Sequence, residues 1–198
     1  MYPRGDYSTL QEDFGNLDKV MEGKSRPGHF AGMITIVSKL FDAVKPTIAY
    51  FGQKDFQQLT LVKYYVKKHN VPVVIRACQI IREEDGLAMS SRNRLLNPEE
   101  RKHARVISQT LFKVKEMWGK KSVAELKQLV ADEFTEDGFL RLDYFEIVDT
   151  DTLDSIENNP PPSPPPHVGE AGRGITACIA AYDGQVRLID NIELAPNP

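Results

Sequence analysis

Between residues 29 and 81 the apolar pattern changes period repeatedly, and that alternation limits the possible folds more than any other feature of the 198-residue chain. Met33, Ile36, Val37, Leu40, Phe41 and Val44 recur at three- and four-residue steps. This predicts one apolar helical face, opened by Arg26-Pro27-Gly28 and closed before Pro46. Thr47 to Phe51 is short, apolar and rich in β-branched and aromatic residues, so it predicts a buried strand that Gly52 breaks. Leu59, Val62 and Val66 mark a second helix, and Val71 to Ile81 reads as a long strand centred on Val73, Val74 and Ile75. Helix, strand, helix, strand implies parallel pairing through helical crossovers, the unit of doubly wound α/β folds. Only two such strands are evident, too few to cover both faces of a parallel sheet.

The pattern then changes. Residues 82–96 are charged and loop-like. Asn97-Pro98-Glu99-Glu100 is a helix start, with a capping Asn, Pro at the first position and acids in the first turn. Val106, Ile107, Leu111, Val114 and Trp118 continue that helix. Ser122 with Glu125 predicts a capping box for another, carrying Leu126, Leu129, Val130 and Phe134. Asp143 to Val148 alternates as a strand, and Ile175–Tyr182 and Gln185–Ile189 flank Asp183-Gly184 as a hairpin. Residues 158–168 hold a Pro-rich run that cannot supply ladder donors and reads as an extended, solvent-exposed insertion. Two domains follow: a partial Rossmann-like domain over 1–92, and a small α+β domain with an antiparallel sheet over 93–198. Residues 1–20 are polar and weakly patterned.

Composition narrows the function classes. With 25 Lys+Arg against 28 Asp+Glu the net charge is −3, which argues against a nucleic-acid surface. No apolar stretch is long enough to span a bilayer. Cys78 and Cys178 lie far apart in apolar runs without metal-ligand spacing, as buried reduced thiols of a cytoplasmic protein do.

Three segments could carry chemistry. Phe51-Gly52-Gln53-Lys54-Asp55-Phe56-Gln57-Gln58 lies where a strand runs into a helix, the place where open α/β sheets bind ligands. Gly52 permits close backbone approach, the helix start favours negative charge, and Lys54 adds a cation suited to phosphate. Asp55 could accept hydrogen bonds from ribose hydroxyls, and Gln58 shares a helix face with Lys54. The plain alternative is a turn with a solvated Lys and Gln. Met89-Ser90-Ser91-Arg92-Asn93 offers two hydroxyls and a guanidinium in a flexible loop able to wrap a polyphosphate; such loops are also common as polar surface. In Lys24-Ser25-Arg26-Pro27-Gly28-His29-Phe30, His29 beside Arg26 could hold an anion or serve as a capping residue. No Ser-His-Asp ordering and no metal-binding histidine pair is present.

In this order, Ser25–Phe30, Phe51–Gln58 and Asp85–Asn93 resemble the motifs of pantothenate synthetases, and Arg187-Leu188-Ile189-Asp190-Asn191 resembles that family's C-terminal strand. The resemblance runs from about residue 1 to 193. It implies a nucleotidyl-transferase-type fold and an ATP-dependent ligation of pantoate to β-alanine through pantoyl adenylate, with Mg²⁺. It implies that Gly52, Gln53, Lys54 and Asp55 contact ATP, that Ile81 presents its backbone to adenine, and that Met89, Ser90, Ser91 and Arg92 form a mobile phosphate-gripping loop. Gln58 and His29 would bind pantoate. Lys54, Ser90, Ser91 and Arg92 would be catalytic, no protein metal site is expected, and a homodimer is implied.

The family's Pro-Thr-Met-Gly loop and His-x-Gly-His helix start do not occur in the sequence, so the resemblance is to an N-terminally shortened enzyme. An unpaired sheet edge is then expected around 47–51 and 71–81. Two function classes follow: a ligase, or an inactive chain retaining a dimer-forming or interaction surface.

Overall fold

The computed structural model describes residues 8–157 and 174–195. The Pro-rich run over 158–168 lies outside them. The chain forms two compact units, Met1–Gln79 and Ile80–Pro198.

In the first unit, α1 (Met21–Ser25) and α2 (His29–Val44) precede β1 (Ile48–Gly52), a 3₁₀ turn (Gln53–Asp55), α3 (Phe56–Lys68) and β2 (Val74–Cys78). β1 and β2 pair in parallel from Ile48 opposite Val74 to Gly52 opposite Cys78. The predicted crossover is therefore present, but the second strand is shorter than the Val71–Ile81 run. Its partner ends at Gly52, and beyond Cys78 no ladder remains to join. The predicted buried strand is not buried: Ile48 and Tyr50 are exposed, as are Val74 and Cys78. The expectation of two buried thiols thus fails at Cys78 and holds at Cys178. The buried face of α2 is also turned from the predicted one. Phe30, Ile34, Thr35 and Phe41 are buried, whereas Leu40 and Val44 are exposed. Phe41 meets Phe51 edge-on at 6.5 Å, which fixes α2 against β1.

The weakly patterned N-terminal stretch contributes more than its polarity suggests. Phe14 and Leu17 are buried, and Phe14 packs edge-on against Tyr64 of α3. Glu12 pairs with Lys68 and His69, and Lys68 holds its carboxyl below the usual range.

In the second unit, α4 (Pro98–Met117) and α5 (Val123–Asp137) pack on an antiparallel sheet of β3 (Leu140–Asp149), β4 (Ile175–Asp183) and β5 (Val186–Ala195), with β4 in the centre. The predicted capping box at Ser122 forms, and the predicted helix start at Asn97 proves to be a capping box as well. Asn97 Oδ1 accepts from the Glu99 and Glu100 amides while Glu100 accepts from the Asn97 amide, and Ser122 and Glu125 reciprocate in the same way. Each box satisfies helix-end donors that would otherwise lack partners. The predicted hairpin forms, but its turn lies one residue later than Asp183-Gly184: Asp183 pairs opposite Val186, so Gly184 and Gln185 form the two-residue loop. Gly184 has φ +53°, a left-handed conformation in which a side chain is strained. Ile107, Leu111, Leu126, Val130, Ile147 and Ile179 are fully buried among the helices and the sheet.

The division between units falls earlier than the boundary read from sequence near residue 93. Arg82 forms a bidentate pair with Asp190 on β5, at 2.6 and 3.1 Å. Arg101 on α4 binds both Glu83 and Asp85. These pairs tie residues 82–85 to the second unit.

Candidate active site

The first unit brings together Gly52, Gln53, Lys54, Asp55 and Gln58 where β1 passes through a 3₁₀ turn into α3. Gly52 has φ −70°, so the backbone does not require a glycine there. Among the described residues, a Cβ at Gly52 would meet nothing within 4 Å, so no described neighbour crowds the strand end. Asp55 occupies the N-cap position of α3, yet its side chain makes no cap hydrogen bond. Its exposed carboxylate is thus not committed to ending the helix. Lys54 is half-buried, and Gln58 lies one turn further along, also half-buried.

Gln57, next to Gln58, has a different task. It is buried, donates to the carbonyls of Leu17 (2.6 Å) and Val20 (2.9 Å), and accepts from the Glu22 amide (3.0 Å). It fastens the segment before α1 to the start of α3. Nothing in the sequence distinguishes the two glutamines except helical phase.

His29 is the first residue of α2, after Gly28 in a left-handed conformation. Burial and the positive charge of Arg26 push its pKa below the ordinary histidine value, against the opposing pull of Glu22 and Asp55. It is therefore neutral at pH 7, able to donate or accept one hydrogen bond at each ring nitrogen but carrying no charge of its own.

The second unit brings Ile81 together with Met89–Arg92. The Met89 amide donates to the Ile81 carbonyl at 2.9 Å, and Arg82 bridges to Ala88, so residues 81–89 form a small closed turn. Gly86, at φ +88°, lets the turn close, with its amide on the Glu83 carbonyl. The next stretch is more regular than the flexible loop expected from sequence. Ser91–Leu95 is a 3₁₀ helix capped by Ser90 Oγ, which accepts from the Arg92 amide at 3.2 Å. Met89, Ser91 and Arg92 are exposed and Ser90 half-buried. Arg92 Nη1 donates to the backbone carbonyl of Arg187 on β5 at 3.2 Å.

Two supports of this turn carry no local sequence signal. The Arg82–Asp190 pair joins residues 108 positions apart. Asn93 is the only buried residue of the 3₁₀ helix, and its burial cannot be read from a polar run.

Comparison with known proteins shows the family of the chain. A family model described as pantoate-β-alanine ligase matches residues 1–193. The chain belongs to the pantoate–β-alanine ligase family. It is 48% identical over 193 residues to the pantothenate synthetase of Bacteroides fragilis, covering 98% of this chain and 64% of that protein. It is 42% identical to the pantothenate synthetase of Acetivibrio thermocellus, again over 64% of the relative's length. The chain therefore spans just under two thirds of these curated relatives. Among solved structures, the pantothenate synthetase of Thermus thermophilus superposes with a TM-score of 0.86 at 38% identity, covering 99% of this chain and 67% of that one. The ligase of Francisella tularensis, crystallised in complex with beta-gamma ATP and beta-alanine, matches with a TM-score of 0.68 at 30% identity, over 98% of this chain and 60% of its own. Among the described residues of this family member, no helix is long and apolar enough to cross a membrane.

Proposed function

We propose that this chain serves the ATP-dependent joining of pantoate and β-alanine, the step that yields pantothenate. One observation carries the reading. Gly52–Asp55 and Gln58 stand together at the carboxyl end of β1, where an α/β strand runs into a helix, in a chain that matches the ligase family over residues 1–193. A carboxylate oxygen of pantoate attacks the α-phosphorus of ATP, the bond to the bridging oxygen breaks, and pyrophosphate leaves with that electron pair. The β-alanine amine then attacks the acyl carbon of pantoyl adenylate, loses a proton, and AMP leaves.

No strong general base is needed for the first step, because a carboxylate is already nucleophilic. The protein's part is orientation and stabilisation of phosphate charge. Lys54 and Arg92 counter that charge, Ser90 and Ser91 donate to phosphate oxygens, and Gly52 and Gln53 pass the nucleotide close to the backbone. Asp55 binds ribose, Ile81 presents its backbone to adenine, Met89 belongs to the loop that grips the phosphates, and Gln58 with neutral His29 hydrogen-bonds pantoate. Mg²⁺ enters with ATP as the MgATP substrate. The reading carries a homodimer and a cytoplasmic setting with it.

The test is pantoate-dependent exchange of labelled pyrophosphate into ATP. Exchange that falls by on the order of 10²–10³ in Lys54→Ala supports the reading. No exchange from folded chain overturns it for these residues alone. It then favours the second reading, a chain retained for association, which is supported by the exposed apolar side chains of Ile48, Tyr50 and Val74.

A further inference from the structure

In the segment Met89–Arg92, Met89, Ser91 and Arg92 are exposed and Ser90 is half-buried, and the groups that fix the segment lie on both sides of it. Asn93 is 4% exposed. Its Nδ2 donates to Glu83 Oε1 at 2.6 Å and to the Ala88 carbonyl at 3.1 Å, while its backbone amide donates to the Ser90 carbonyl at 3.1 Å. One buried side chain therefore joins the residue after the segment to two residues before it. Glu83 is itself held, because its second oxygen accepts from Arg101, whose Nε also binds Asp85 at 2.9 Å. Arg101 projects from α4, so the chain Asn93–Glu83–Arg101 ends on the rigid core.

The buried Asn93 carries an uncompensated polar atom as well. Its Oδ1 has no hydrogen-bond partner among the described residues. A buried acceptor left so is costly, and an apolar residue of similar size would avoid that cost. What an apolar residue would lack is the pair of donors that span the segment.

We propose that Asn93 is a positioning residue. With Glu83 it forms an anchor that sets where Ser90, Ser91 and Arg92 stand, without touching substrate itself. Arg92 rests on the Arg187 carbonyl through one nitrogen, and only a segment fixed at its base lets that guanidinium move to a phosphate by side-chain rotation alone. The mechanistic half of this proposal rests on the ligase reading above, whereas the anchor itself does not.

Two measurements on the whole chain separate the two halves. Hydrogen exchange is followed in wild type, Asn93→Ala and Glu83→Gln. The expected result is amides of residues 89–95 exchanging about tenfold faster or more in both variants, with β4 amides unchanged. Unchanged exchange at 89–95 overturns the anchor. Equal acceleration in β4 in both variants overturns it too, because the pair would then hold up the whole unit. Where Asn93→Ala alone disturbs β4, Glu83→Gln decides. Pyrophosphate exchange is then measured in the same proteins. Asn93→Ala is expected to lower kcat on the order of 10²-fold with the KM for pantoate unchanged, the pattern of lost orientation. A raised KM at full kcat overturns the positioning role. A silent wild type defeats the ligase reading, while accelerated exchange at 89–95 still upholds the anchor.

Discussion

The parallel pair β1–β2 and the antiparallel trio β3–β4–β5 are built from similar residues and meet different fates. β4 is buried along nearly its whole length, with Ile179 at 0% exposure, while Tyr50 of β1 is 69% exposed and Val74 of β2 is 50% exposed. Composition does not account for the contrast; neighbours do. β4 has a strand on each side and two helices stacked on its sheet. Each parallel strand has one partner among the described residues, and α3 reaches both. A parallel sheet is stable when covered on two faces. Hydrophobic strand sequence therefore records how many neighbours a strand is suited to, rather than how many it has in a given stretch of chain.

The largest test of this contrast is a pair of truncations. Ile179→Ala is expected to destabilise the second unit by about 2–5 kcal/mol, and Val74→Ala to change the first by less than about 1 kcal/mol. Denaturant unfolding followed by fluorescence of Trp118, the sole tryptophan, reads the first. Unfolding of the first unit by hydrogen exchange reads the second. A comparable loss at Val74 would mean that the β1–β2 face is covered in solution.

A second test removes a charge that the buried sheet depends on. Asp190 is nearly inaccessible and Arg82 is its bidentate partner. Arg82→Ala should cost roughly 3 kcal/mol, since a buried carboxylate is left without its counter-charge. No comparable pair lies on β1 or β2 among the described residues, so an equal effect from Arg76→Ala would erase the distinction.

Titration sharpens it further. Asp183, at the end of β4, is buried, and burial followed by repulsion from Glu100 pushes its pKa up to about 6, with Asp137 adding to this and His103 opposing it. A carboxyl whose folded pKa is raised binds its proton more tightly when folded. The stability it contributes is full below about pH 4 and is lost as pH rises through about 6. Asp183→Asn should then stabilise the second unit at pH 7 by about 1–2 kcal/mol and lose this advantage near pH 4, as denaturation at the two pH values would read. The smallest effect on stability is at the exposed face. Tyr50→Lys should leave unfolding within about 0.5 kcal/mol of wild type while reducing concentration-dependent association in light scattering, because charge on an open strand discourages pairing. Unchanged association would show that β1 is not the adhesive element.

What could be read from sequence divides along the same line. The helix starts at Asn97 and Ser122 and the strand–helix junction at Gly52 are set by residues a few positions apart and lie where their local chemistry predicts, and the hairpin turn lies within one residue of its predicted place. The burial of β1, the face of α2 and the end of β2 depend on what lies opposite in space, and there the sequence misleads. The α2 stripe through Leu40, Phe41 and Val44 is a true helical period, but of these three only Phe41 is buried, and the neighbours add Phe30 and Ile34 to it. The placement of Gly52–Asp55 between a strand end and a helix start was legible because such ends announce themselves. Asn93 and Gln57 were not, since a buried amide and an exposed one are written with the same letter.

Gln57 and Gln58 stand about 100° apart on α3, one turned into the protein with three backbone partners and the other half-open to solvent. A deletion of one residue between Gly52 and Gln58 would rotate the whole helix by that angle relative to the strand that feeds it. Gln58 would then be carried into the surroundings of Gln57, Gln57 into those of buried Phe56, and the apolar Leu59 onto the half-open face. Length in this stretch is therefore guarded more strictly than residue identity: exchanging one side chain alters one contact, whereas an insertion or deletion rephases every contact at once.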